Sequence, residues 1–172
     1  MNLLSISNST PQDIDAIFNL YEEGTAYMKK VSKKHWKGFE RKLVETEIIE
    51  HRQWKLVADE QIVGVFVISF NDPFIWEEKD KDPAIYIHRI ATHPDYRGNG
   101  LVKQIVSWAK EFAKEMGKKF IRMDTGSGND RLNNYYITCG FTYLGIKEYP
   151  ITDNLPAHYK DGSSSLFEIE LH

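Results

Sequence analysis

Residues 84–124 constrain the fold more than any other stretch. An apolar run, Ala84 to Thr92, leads into His93-Pro94-Asp95-Tyr96-Arg97-Gly98-Asn99-Gly100, and an apolar stripe of helical period starts at Leu101. Leu101, Ile105, Trp108, Phe112 and Met116 form one row, with Val102, Val106, Ala109 and Ala113 beside it. That breadth marks a helix lying on a sheet. Gly117 stops it, and Phe120 to Asp124 reads as another strand. Two strands joined by such a helix run parallel in one sheet, with a right-handed crossover. Gly98 and Gly100 remove side chains where strand becomes helix, leaving a row of backbone N–H groups backed by the helix dipole. Turns of this kind bind phosphate, so the segment points to a phosphorylated ligand.

The rest of the chain fits around that unit. Leu3 to Ser7 reads as a strand, and Thr10-Pro11-Gln12-Asp13 as a capped helix start. The first helix carries Ile14, Ile17, Phe18 and Tyr21 on one stripe and ends near Gly24 or Lys30. A second helix is expected over His35 to Glu50, with Trp36, Phe39, Leu43 and Val44 inward. Trp54 to Ala58 and Ile62 to Phe70 form a hairpin about Asp59-Glu60-Gln61. Asn71 to Pro83 is an acidic loop, in which Trp76 is expected to be exposed or to line a cleft. Asn129 or Asp130 caps a short helix ending at Gly140, and Phe141 to Tyr149 and Ser164 to Leu171 are the last strands. The loop between them, Pro150 to Gly162, has the length of a functional segment. About seven strands and about four helices result: an α/β fold with a mixed, mostly antiparallel sheet covered on both faces.

Composition excludes several classes. The 172 residues suit one domain, spanning 1–172. A net charge of −3 gives no basic footprint for nucleic acid. No apolar run approaches the ~20 residues of a membrane span, and the N-terminus lacks the charged and apolar regions of a signal peptide. The one cysteine, Cys139, allows no internal disulfide and no metal cluster, so no metal is expected. A cytoplasmic location follows as an expectation.

Together with the later Tyr136-x-x-x-Gly140-Phe141, this order resembles the GCN5-related N-acetyltransferase (GNAT) superfamily. Arg97, Gly100 and Val102 stand at the first signature; Asn129, Tyr136, Gly140 and Phe141 stand at the second. The departure is Val102, where the family prefers a small residue and where an isopropyl group is placed to crowd a cofactor.

The resemblance implies acetyl-CoA as cosubstrate. Its diphosphate would lie on Arg97, Gly98, Asn99, Gly100, Leu101 and Val102, with Arg97 and Lys103 adding charge. Its pantetheine arm would pair with Ile90, Ala91 and Thr92 where the sheet splays near the fourth strand, a bulge being the usual device. An N–H near Ile90 or Ala91 would face the oxyanion. Tyr136 would be the general acid. Asn129 reads equally as a helix cap and as a cofactor contact. For the base, His88 competes with Glu77 and Glu78, and His88 reads also as an ordinary strand residue. Alternation puts Tyr86, His88 and Ile90 on one face.

The acceptor would be a primary amine on a small molecule or a peptide, lying against the first two helices and the loops at 71–83 and 150–162. The resemblance leaves a homodimer open. The alternative is a non-catalytic acyl-CoA-binding module of the same fold.

Overall fold

The structure is a computed structural model that describes residues 4–149 and 162–172. Seven strands form one sheet in the order β1-β2-β3-β4-β5-β7-β6. The strands are β1 (Ser5–Asn8), β2 (Gln53–Ala58), β3 (Gln61–Ser69), β4 (Ala84–Thr92), β5 (Phe120–Gly126), β6 (Thr142–Glu148) and β7 (Ser163–Glu170). The helices are α1 (Ile14–Val31), α2 (Arg41–Ile49), α3 (Pro73–Trp76), α4 (Leu101–Glu115) and α5 (Asp130–Thr138). Only β4 and β5 pair in parallel, as the crossover through α4 requires; every other neighbour pair is antiparallel. The final strand lies between β5 and β6.

One face of the sheet is covered by α4. Its Leu101, Ile105, Val106 and Ala109 pack on Phe66, Ile85, Ile87 and Ile121. Trp108 stacks on Phe112 with centroids 4.8 Å apart, and both meet Trp54. Met116, expected in the inward row, is 48% exposed, because the helix passes the edge of the sheet before Gly117 ends it at φ +70°. Each fully buried aliphatic side chain here contributes roughly 1.5–3 kcal/mol.

α1 and α2 cover part of the opposite face. α1 does not stop at Gly24 but continues to Val31. Gly24 serves instead as a contact: a Cβ there would lie 2.9 Å from the Trp36 ring. α2 begins at Arg41, six residues later than expected from its periodicity. Residues 34–40 form an irregular crossing in which Gly38 adopts φ +102°, and Trp36 packs edge-on and Phe39 tilted against Tyr21. The inward residues of α2 are Val44, Glu47 and Ile48, whereas Leu43 is exposed.

The 71–83 stretch is not a bare loop. It holds α3 and a 3-10 turn at Glu77–Lys81, and Trp76 is buried against Tyr86 and Arg122. The long 150–162 loop falls, except for Gly162, outside the described residues. Among the described residues no helix is long and apolar enough to cross a membrane.

Candidate functional site: the α4 turn and the β4–β5 split

Three features converge near the C-terminal end of β4. The first is the turn into α4. His93 N donates to Val63 O at 2.8 Å, and Asp95 N donates to His93 Nδ1 at 3.1 Å, so the Pro94–Tyr96 turn is anchored at its start. Gly98 (φ +83°) and Gly100 (φ +71°) then adopt left-handed conformations that favour glycine. A Cβ at either would meet nothing within 4 Å, so the space beside them is open. Among the described residues, no backbone carbonyl accepts from the amides of Gly98, Gly100, Leu101, Val102 or Lys103. Five donors thus stand at the positive end of a 15-residue helix. Val102 points into the core and is 7% exposed, so its isopropyl group does not crowd this surface. Asn99 and Lys103 are exposed, and the Arg97 guanidinium lies 4.3 Å from the Tyr27 ring of α1.

The second feature is a break in β4. Val67 pairs with His88 but Val65 pairs with Ala91, so β4 holds one more residue than β3 between these pairs. Arg89 takes φ +47° at this bulge. A non-glycine residue there is strained by roughly 1 kcal/mol or more. The strain is met by contacts: Arg89 pairs with the buried Glu47 of α2, donates to Tyr21 Oη at 3.4 Å and covers the Phe39 ring at 4.9 Å. The extra residue also reverses the alternation. Ile90 packs with Ile85 and Ile87 on the α4 side, while Arg89 and Ala91 face α1 and α2. His88 and Ile90 therefore do not share a face, because simple alternation fails across a bulge. Pairing of β4 with β5 ends at Ile87–Met123. From His88 to Thr92 the edge of β4 facing β5 has no strand partner among the described residues, and the sheet is split there.

The third feature lies at the fork of the split. Asp72 at the start of α3, His88 on β4 and Asp124 on β5 each place a ligand-type atom within 4.8 Å of the others. His88 Nε2 lies 2.8 Å from Ser69 Oγ. Asp124 accepts from Ser164 Oγ at 2.9 Å, and Ser164 in turn contacts Tyr149 Oη. Asp72 is 8% exposed, and its Oδ2 is buried without a hydrogen-bond partner. Desolvation, then the nearby Asp124 and Asp80, push the Asp72 carboxyl up to about 7. Desolvation raises Asp124 to about 6, against the Ser164 hydrogen bond. Of the sequence candidates for a base, the fold brings only His88 here. Glu77 pairs with Lys147 and Glu78 with Lys81, both away from this group.

Tyr136 on α5 is buried, its ring set edge-on to Phe167 at 5.3 Å and to Phe141 at 6.2 Å. Burial holds its phenol well above the usual range, so it stays protonated. Asn129 is the N-cap of α5, its Oδ1 accepting from Leu132 N at 3.1 Å. Cys139 is buried as a small hydrophobe. Asp72 and Asp124 escaped the sequence reading. The available signal was in β5, where Arg122 and Asp124 alternate with Ile121 and Met123: charges on the buried face of a central strand.

A mixed sheet split beside a bulged strand, with a glycine turn opening the crossover helix, characterises the fold. Residues 15–141 match the family model described as the acetyltransferase (GNAT) family, and the chain belongs to that family. It is 28% identical over 91 residues to the uncharacterized N-acetyltransferase YesJ of Bacillus subtilis, a match covering 51% of this chain and 51% of that one. The chain thus spans about half the length of this curated relative. A GNAT-family acetyltransferase from Listeria monocytogenes superposes with a TM-score of 0.76 at 24% identity, over 98% of this chain and 95% of that one. A Salmonella typhimurium protein named as an acetyltransferase, solved with its cofactor acetyl-CoA, superposes with a TM-score of 0.68 at 14% identity, over 99% and 95% of the two chains.

Proposed function

We propose that this chain is an acetyl-CoA-dependent N-acetyltransferase that acts on a primary amine by direct attack in a ternary complex. The observation that carries the reading is the continuity of one strand, β4, from a carboxyl–imidazole group at His88, through an unpaired edge at Ile90–Thr92, into the amide-rich α4 turn. The residues fit the coenzyme: open glycines and free amides suit a diphosphate, and a free strand edge suits an amide-bearing arm. The Salmonella neighbour's acetyl-CoA supports the same donor.

When bound, acetyl-CoA supplies the acetyl thioester and the thiol leaving group. The amides of Gly98 and of Gly100 to Lys103 hold the diphosphate, and Arg97 and Lys103 add positive charge. The backbone of Ile90, Ala91 and Thr92 orients the arm. An alkylamine has a pKa of ~10.4 and must lose a proton before it can attack. In this reading Asp72, His88 and Asp124 take that proton, supported by their spacing within 4.8 Å and by carboxyls near 6 and 7, which match neutral pH. Tyr136 keeps a proton on its Oη for the departing sulfur. Ser69 Oγ, the hydroxyl beside His88, donates to the Asn71 carbonyl at 3.0 Å, so its proton is not directed at the imidazole, which favours direct transfer over a covalent acetyl-enzyme.

Calorimetric titration with acetyl-CoA, followed by thiol release with an amine panel, tests the reading. Tyr136→Phe should lower kcat by about 10²-fold or more while the acetyl-CoA Kd stays within about twofold. Gly100→Val, with folding checked by its melting temperature, should weaken acetyl-CoA binding. An unchanged Kd in that variant would remove the turn from the site. Tight acetyl-CoA binding with no turnover of any amine would instead identify a binding module.

A further inference from the structure

One cationic group lies beside the fork and is not used by the chemistry above. The crossing between α1 and α2 brings Lys34 over the tip of β5. A Cβ at Gly126 would lie 3.4 Å from both Cβ and Cδ of Lys34, so the lysine stem runs directly across that residue. Gly126 and Asp124 are two residues apart on β5 and share a sheet face, a step of about 7 Å. Lys34 Nζ donates to Ser127 Oγ at 2.6 Å, to Ser163 Oγ at 3.2 Å and to the Ser163 carbonyl at 3.4 Å. All three acceptors are neutral. Among the described residues, the lysines that pair with carboxylates are Lys55, Lys81, Lys114 and Lys147. Lys34 is half-buried and has no carboxylate partner among the described residues. An open groove of about 600 Å³ surrounds it, lined by residues 30–34 with Ser127 and Gly128, and Val31 is its one aliphatic side chain. Its three ammonium groups face no acid among its lining residues.

The region is thus electrically two-sided. Asp72 and Asp124 make the fork negative, suited to an approaching ammonium, and Lys30, Lys33 and Lys34 make the adjoining mouth positive. We infer that the acceptor amine carries an anionic oxygen group, a carboxylate or a phosphate, that docks on Lys34 while its amine reaches the fork. This rests on the acetyltransferase reading above. The anion completes the partial set of neutral acceptors around a half-buried ammonium, and charge-assisted hydrogen bonds of this kind are the stronger ones. The same mouth disfavours polyamines, whose second ammonium would meet three like charges.

The test uses the full chain and matched amines assayed by thiol release: amino acids and ω-amino acids against their carboxamides, and O-phosphoethanolamine against ethanolamine. At least one anionic member should exceed its neutral counterpart tenfold or more in kcat/KM. Lys34→Ala should abolish that preference through KM, leave kcat within about twofold and leave the acetyl-CoA Kd unchanged. Lys34→Arg should restore the preference. Equal or better turnover of the neutral partners overturns the inference while leaving the acetyltransferase reading intact, and so does turnover of neither set by a protein that binds acetyl-CoA and acetylates another amine of the panel. A loss of acetyl-CoA affinity in Lys34→Ala also overturns it, by assigning the groove to the coenzyme's own phosphates. Failure of the wild-type chain to bind acetyl-CoA would mark the broader reading, not this one alone, as the fault.

Discussion

Two charged groups sit on the same sheet face, two residues apart along β5, and they are built in opposite ways. Around Arg122 every charge is answered. Its Nε donates to Glu168 at 2.8 Å, Nη2 to Asp82 at 2.6 Å, and Nη1 to the Lys79 carbonyl at 2.7 Å and to Tyr86 Oη at 3.2 Å. The guanidinium is also flanked by Trp76 at 4.7 Å and Phe120 at 4.8 Å. Around Asp124 the group is acid-rich: a second carboxyl, Asp72, has an unpartnered buried oxygen, and the nearest titratable companion is an imidazole. The first arrangement ties the 71–83 stretch to β4, β5 and β7. The second raises two carboxyl pKa values, so ionising either group costs the fold stability. Buried charges that are fully paired belong to architecture, and buried charges left facing each other are candidates for chemistry.

The contrast can be broken by mutation. The largest effect expected is on stability. Arg122→Met leaves Glu168 and Asp82 without their cation and should cost about 3–5 kcal/mol in urea unfolding. A loss below about 1 kcal/mol would show that this group is not the tie described. Asp124→Asn should leave the fold standing yet lower kcat/KM by about 10²-fold, within the range of a removed acid–base group. Full activity in that variant would make the fork as structural as the Arg122 group.

The pH dependence sharpens the same point. With a base that must be ionised, wild-type kcat/KM should climb as pH rises through about 6 to 7, the values of Asp124 and Asp72. A profile flat across that window argues against the fork as proton acceptor.

The smallest effect is thermodynamic. The folded pKa of Asp72, about 7, lies above its ordinary 3.8, so the protonated carboxyl contributes stability that is complete below about pH 3.8 and lost as pH rises through 7. Asp72→Asn should therefore raise the melting temperature at pH 8, by on the order of 1 kcal/mol or roughly 2–4 °C, and by much less at pH 4. Equal shifts at both pH values would detach the effect from ionisation.

Much of the scaffold could be read locally. The Ala84–Thr92 strand, the Gly98–Gly100 turn and the α4 stripe agree with the structure because each depends on neighbours within a few residues. The same holds for the Asn129 cap and for the helix that carries Tyr136. Local periodicity misled where a distant partner decided the outcome. The charged loop around Trp76 points to a residue that is exposed or lines a cleft, yet the Arg122 guanidinium and Tyr86 ring give it a buried seat. α2 was drawn too early because Trp36 and Phe39 keep a helical spacing while packing on Tyr21 from an irregular segment. Alternation puts Ile90 on the face of His88, and the structure does not, because nothing near Arg89 announces a left-handed residue; Glu47 and Tyr21, from other elements, hold it there.

The order of residues alone determined a parallel crossover with a free-amide turn at its start, since helix period, glycine and strand alternation act over one or two turns of chain. Tertiary structure decided the fork. Asp72, His88 and Asp124 come from three separate elements, and they meet where β4–β5 pairing stops, beside the bulge and beneath the 71–83 stretch whose 3-10 turn Arg122 draws against the sheet. Coulomb coupling between carboxyls grows as their separation falls and as burial removes screening water, so their shared chemistry exists only once packing has brought them within 4.8 Å of one another.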